Sequence, residues 1–197
     1  MTPVLLDTNA YLRLAKRIRP LLGKPFGQKA YVLAVLRDVD DEVHRSPRLR
    51  QTFPWFDAVE LAVERKTYSP RLSQDEKDAL AAAASVLHGL VQMDPTQFMR
   101  HRRSPPSYTD CRVLAFGQIR PAVVVTDDLG MHALAELAGI ENVWHGHDLL
   151  KKMLSAKLID NELVRDIYTA LEVNNDLPAS WVQAKHVAFL KIFGKAP

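Results

Sequence analysis

The chain predicts an α/β fold in which a parallel sheet is flanked by helices and followed by a helical C-terminal extension. Two short apolar runs, Val4-Leu5-Leu6 and Val123-Val124-Val125, each stop at an acidic turn, at Asp7 and at Thr126-Asp127-Asp128. A helix-like spacing of apolar residues follows each run, so strand and helix alternate as a parallel sheet requires. Beyond about Ser155 only helical periodicity remains.

The first strand covers residues 3–6 and breaks at Asp7-Thr8-Asn9. Leu12, Leu14, Ala15, Ile18 and Leu21-Leu22 then recur at roughly helical spacing, until Gly23, Pro25 and Gly27 end the helix. Residues 31–43 are apolar-rich and helical in their later part. Asp38 and Glu42 are four apart there and share one helix face. Asp40 and Asp41 point elsewhere and are expected to be solvated. A basic and aromatic stretch with Arg45, Arg48, Arg50, Phe53, Trp55 and Phe56 precedes the helical pattern Val59, Leu61, Ala62, closed by Arg65-Lys66.

Ser73 and Glu76 fit a capping box ahead of Leu80, Ala84, Leu87 and Leu90, which reads as a packing helix. Residues 99–106 make a basic, proline-marked loop carrying Arg100, His101, Arg102 and Arg103. Ser107 caps the next helix, with Asp110 in its first turn and Val113, Leu114 and Phe116 along it. Residues 122–125 have the β-branched composition of a buried strand. A helix from about Gly130 to Ala138 returns the chain to a second strand at Val143-Trp144, and residues 148–152 open another helix. Asp160 and Ser180 read as N-caps of two tail helices, with a break at residues 174–178 between them.

The chain has 197 residues, 47% hydrophobic and 25% charged, enough to bury a sizeable core, and no run approaches the ~20 apolar residues of a membrane span. Met1-Thr2-Pro3 lacks a basic flank and leads into too short an apolar run for a signal peptide. A soluble cytoplasmic protein is expected. Cys111 is the only cysteine, which excludes an intramolecular disulfide and a thiolate-rich metal site. A net charge of +3 and a pI near 9.0 permit polyanion binding without demonstrating it.

The chemistry lies in the acids. Carboxylates at the ends of parallel strands, or where a neighbouring helix begins, converge in one crevice and bind hard divalent cations through oxygen. Asp7, Asp38, Asp110 and Asp128 occupy such positions, and Glu42 is an alternative to Asp38 one turn later. They point to metal-assisted phosphodiester hydrolysis with Mg²⁺ or Mn²⁺, in which cations polarise the phosphate and activate water. His145 and His147 in WHGHD raise a zinc alternative, but neither a cysteine nor an HExxH companion accompanies them.

The segments PVLLDTNAYLRLAK and SYTDCRVLAFGQIRPAVVVTDDLGMHALAELAGIENV together resemble the PIN-domain nucleases, including VapC-like ribonuclease toxins. The resemblance frames about residues 3–150. It implies a PIN-like parallel sheet and a metal-dependent endoribonuclease, with Asp7, Asp110 and Asp128 on the family's acidic positions and Asn9 and Thr126 as accessory polar groups. The family's second acid is usually a Glu in a V-L-x-E-L-like pattern. This chain has VLRDV with Asp38, so Asp38 and Glu42 both stand as candidates and the metal number stays open.

A nuclease domain over residues 1–155, with a helical insertion at about 53–106, and a helical extension over 156–197 packed on it are expected. Arg48, Arg50, Arg100, Arg102 and Arg103 are candidate RNA contacts. The resemblance also implies an RNA substrate, an antitoxin protein and a homodimer as partners, and no membrane. The alternative is a catalytically weak PIN-like module that binds RNA or protein. A haloacid-dehalogenase-type phosphatase also places Asp after its first strand. Here its D-x-D is Asp7-Thr8-Asn9, without the second carboxylate.

Overall fold

The computed structural model describes residues 1–99 and 104–195. Strand β1 (Thr2–Leu6) runs through the middle of a five-stranded sheet and leads directly into helix α1 (Thr8–Ala15). A short hairpin follows, of β2 (Pro25–Phe26) and β3 (Tyr31–Ala34). The sheet order is β2-β3-β1 and then β4 (Val123–Val125) and β5 (Val143–Trp144); β2 alone is antiparallel to its neighbour. The fold is therefore α/β with a mostly parallel sheet. Val4, Leu5 and Leu6 pair with Val123, Val124 and Val125, and all six are buried, as strands covered on both faces require.

This order places β1 between its partners β3 and β4. Connections leave it in opposite directions, and the crevice beyond the strand C-termini opens at that reversal. Asp7 N–H donates to Val125 O at 3.0 Å, which extends the ladder one residue and sets Asp7 beside Thr126.

Between β3 and β4 the chain is helical: α2 (Arg37–Arg45), α3 (Pro47–Thr52), a 3₁₀ turn (Pro54–Asp57), α4 (Val59–Tyr68), α5 (Gln74–Met93), α6 (Pro95–Phe98) and α7 (Tyr108–Ile119). Helix α5 lies along α7 through buried Leu80, Ala84, Leu87 and Val91. The capping box read from the sequence forms, with Ser73 and Glu76 starting α5, and the expected Ser107 cap closes a second one with Asp110 at the start of α7. After β4 come α8 (Leu129–Leu137) and, past β5, α9 (Gly146–Ser155).

The tail holds α10 (Asn161–Val173), α11 (Ala179–Lys185) and α12 (Leu190–Phe193), whose Tyr168, Trp181, Phe189 and Ile192 join the same continuous core as the sheet. Gly146 explains how close α11 comes. A Cβ there would meet the Trp181 ring at 2.6 Å and Asp127 Oδ2 at 2.9 Å. Among the described residues no helix is long and apolar enough to cross a membrane.

Three local expectations are corrected. Helix α1 ends at Ala15 with a final turn closed by the Ile18 N–H on Leu14 O at 3.0 Å, and it does not run on to Leu22, because Pro20 lacks the N–H a helix needs and disfavours helical geometry in the residue before it. Ser180 is not an N-cap: α11 begins at Ala179 behind Pro178, and the Ser180 hydroxyl turns inward to Asp127 Oδ1 at 3.5 Å. Asp40 is half-buried and not simply solvated, since Arg65 Nε donates to it at 2.6 Å.

Candidate active site

Asp7 is the first residue past β1 and the N-cap of α1, with only 2% of its surface exposed. Its Oδ1 accepts the Ala10 N–H at 2.5 Å, and its Oδ2 accepts the Thr126 hydroxyl. Capping alone explains the first bond, since Asp is a favoured N-cap. The second crosses from β4. Thr126 is fully buried, and its Oγ1 also accepts the Asp128 N–H at 3.1 Å, so one hydroxyl fixes both the first and the last acid of the crevice.

Asp128 caps α8: its Oδ1 accepts the N–H groups of Gly130 at 2.7 Å and Met131 at 3.1 Å. Asp110 sits at the third position of α7, where its Oδ2 accepts the Ser107 N–H at 2.7 Å and the Ser107 hydroxyl at 2.8 Å. In both, the other carboxylate oxygen accepts no hydrogen bond from a described residue. Glu42, near the end of α2, accepts the Thr8 hydroxyl at 2.5 Å and so hangs beside the start of α1.

Electrostatics tie these groups together. Burial pushes the Asp7 carboxyl up to about 7, with repulsion from Asp110 and Asp127 adding to it and the bonds from Thr126 and Ala10 opposing it. Burial lifts Asp110 to about 6, with the bonds from Ser107 opposing it and repulsion from Glu42 and Asp128 adding to it. Asp110 thus lies within electrostatic reach of Asp7, Glu42 and Asp128 near the strand C-termini. Asp38 does not join them. It turns to Arg112 on α7, with Oδ1 at 2.5 Å from Nε, although it shares a helix face with Glu42.

The donor set is all carboxylate oxygen, the chemistry suited to Mg²⁺ or Mn²⁺, and its negative charge, unpaired among the described residues, is what such a cation would offset. Among the described residues no three His, Cys, Asp or Glu side chains are drawn together tightly enough to hold an ion as they stand. His145 and His147 stack, with centroids 5.3 Å apart and planes 13° apart, and His132 stacks on His145 at 4.0 Å and 28°. Near-parallel rings direct their in-plane lone pairs side by side and not at one point, which argues against the zinc alternative. Burial holds His132 and His147 below the usual imidazole range.

Asp127 serves the scaffold. Its Oδ1 accepts the Gly146 N–H at 3.0 Å and the Trp181 indole at 2.9 Å, and its Oδ2 faces Arg13 at 3.4 Å. Burial alone would raise this carboxyl. The nearby His145, together with Arg13, Gly146 and Trp181, instead holds it below the ordinary range.

Among the candidate RNA contacts, Arg48 faces a cavity rimmed by Asn9, whereas exposed Arg50 is not part of its lining. Arg100, Arg102 and Arg103 lie outside the described residues, as does His101. Sequence reading overlooked Thr8 as the partner of Glu42, and Lys16 and Arg17 as neighbours of Arg48. The expected continuation of α1 gave no reason to set the latter two apart. No protein-family model, curated protein or solved structure matches the chain.

Proposed function

We propose that the chain is a metal-dependent endoribonuclease that hydrolyses RNA phosphodiester bonds at the crevice of Asp7, Glu42, Asp110 and Asp128. One observation supports the reading: Asp110 interacts electrostatically with Asp7, Glu42 and Asp128, which come from three other elements, and burial lifts Asp7 and Asp110 to about 7 and 6. Carboxylates so placed, without an ion pair to any described residue, suit a cation or a shared proton.

Asp7, Asp110, Asp128 and Glu42 would hold Mg²⁺ or Mn²⁺, which supplies polarisation of the phosphate and a lowered pKa for water at the attacking position. The chain's own contribution is orientation. Thr126 fixes Asp7 and the backbone of Asp128, Ser107 fixes Asp110, and Thr8 fixes Glu42. No covalent intermediate on the protein is required. The likeness of the DTN and TDD segments to PIN-domain nucleases supports the same reading, and with it a toxin role restrained by an antitoxin protein.

The test is incubation of the protein and of Asp7→Asn with a mixed RNA pool in Mg²⁺, Mn²⁺ or chelator, with mapping of new ends. Metal-dependent cuts that vanish in the variant are expected. Equal cleavage by both proteins, or none by either, removes the assignment.

A further inference from the structure

A cavity of about 740 Å³ opens between α1, α3 with its following 3₁₀ turn, and the C-terminal end of α10. That volume is within the roughly 300–1,000 Å³ of small-ligand sites. Its lining includes exposed Asn9, in the first turn of the helix that Asp7 caps.

The walls are cationic. Lys16, Arg17 and Arg48 line the cavity, and their side chains make no ion pair or hydrogen bond among the described residues. Its one acidic lining residue, Asp176, is already engaged: Arg13 Nε and Nη2 donate to its two oxygens at 3.1 and 2.9 Å. Three charges are therefore left facing the space. For Lys16, the C-cap of α1, the helix dipole is reason enough for a cation. Arg48 stands in the first turn of α3, where the dipole opposes one. The wall also carries Phe53 and Trp55, half-buried rings packed edge to face at 5.9 Å.

Unpaired cations beside aromatic faces are the means by which proteins hold single strands, with the backbone neutralised and an unpaired base stacked. We infer that this cavity is a subsite for one nucleotide of single-stranded RNA, its phosphate on Arg48, Lys16 and Arg17 and its base against Trp55 and Phe53. The assignment rests on the nuclease reading for its orientation towards Asp7, but its test needs no cleavage.

A short fluorescent single-stranded RNA is titrated into full-length Asp7→Asn protein in chelator at several salt concentrations. Arg48→Ala and Lys16→Ala in that background each weaken binding, and the combined Lys16→Ala, Arg17→Ala, Arg48→Ala variant flattens the slope of log affinity against log salt by about 0.7, the release expected for one phosphate on a single strand. Trp55→Ala weakens binding about tenfold, the effect of one lost stacking partner. Lys151→Ala, on α9 and outside this cavity, changes neither. If Trp55→Ala does not fold, Arg48→Glu at the exposed wall carries the test, with at least a tenfold loss.

Affinity and salt slope unchanged in the cavity variants, or no RNA bound by the Asp7→Asn parent at low salt, overturn the subsite. Displacement of the RNA by polyglutamate at equal concentration also overturns it, by assigning the surface to an acidic protein segment. Intact binding by a protein that never cuts RNA removes the nuclease reading and leaves the subsite standing.

Discussion

The Thr126 hydroxyl donates to Asp7 Oδ2 across the adjoining ends of β4 and β1, and both residues are buried. The contact follows from the register, since Leu6 pairs with Val125 and the next residue on each strand turns into the crevice. Thr126→Val keeps the shape and removes the donor. It leaves Asp7 Oδ2 without that bond and the Asp128 N–H without an acceptor, which costs about 1–3 kcal/mol for an unmet buried polar group. The lost bond is one that lowers the Asp7 carboxyl, so this pKa moves above 7 and the rise of cleavage with pH shifts in the same direction. Thr126→Ser restores both. Denaturant unfolding and carboxyl carbon NMR read the two effects separately, and a Val variant with an unmoved Asp7 titration contradicts the argument.

Protons and a divalent cation compete for the same carboxylates. Asp7 and Asp110 titrate near 7 and 6 when folded, above the value of about 3.9 for an unfolded Asp. Between these limits the folded chain holds protons that the unfolded chain has released, so these two groups make stability fall as pH rises from about 4 to about 7. His132 and His147, lowered by burial, act in the opposite direction. The informative quantity is therefore the difference between proteins. The melting temperature of metal-free Asp7→Asn relative to wild type rises from pH 5 to about pH 7 and levels off towards pH 8, by about 2–4 °C for each kcal/mol. Mn²⁺ closes the gap at pH 8 and has little effect at pH 5. A difference that is flat with pH contradicts the raised carboxyl.

What the sequence revealed and what it concealed divide along the range of the interactions. Ser107 and Asp110 are three residues apart, so their capping box is legible without any fold; Asp7 and Asp128 are legible because each ends an apolar run. Glu42 and Asp38 share a helix face, and only distant partners separate them: Thr8 on α1 takes Glu42, while Arg112 on α7 takes Asp38. Strand β2 is two residues long and exists through its pairing with Tyr31 and Val32, which leaves almost no periodic signal. The cavity of Lys16, Arg48 and Trp55 gathers residues from α1, α3 and the 3₁₀ turn against the end of α10, a juxtaposition that only tertiary packing creates.

Asp127 reaches the tail from the turn after β4. Its carboxylate receives the Trp181 indole and the Gly146 N–H and faces Arg13, which is also held by Asp176. Removing one member of a buried charged set costs about 3–5 kcal/mol, because the partners remain desolvated. Asp127→Asn keeps Oδ1 as the acceptor of both donors and loses the charge facing Arg13. We expect a loss towards the lower end of that range, with faster amide exchange in α11 than in α5. Equal exchange in both helices, or no loss in denaturant unfolding, shows that the tail is held by its apolar contacts alone.

The choice between Glu42 and Asp38 as the second acid is open to direct measurement. Glu42 is among the charges that raise Asp110, and Asp38 is engaged by Arg112. Glu42→Gln should weaken Mn²⁺ binding at least tenfold in calorimetry and remove most cleavage, since it deletes a charge facing the other acids. It should also lower the Asp110 titration below about 6, because one source of repulsion is gone. Asp38→Asn instead frees Arg112, whose charge is then available to the crevice; Mn²⁺ affinity should change less than threefold. The reverse ranking would place Asp38 at the metal, with Arg112 displaced when the ion binds, and would make Glu42 a partner of Thr8 only.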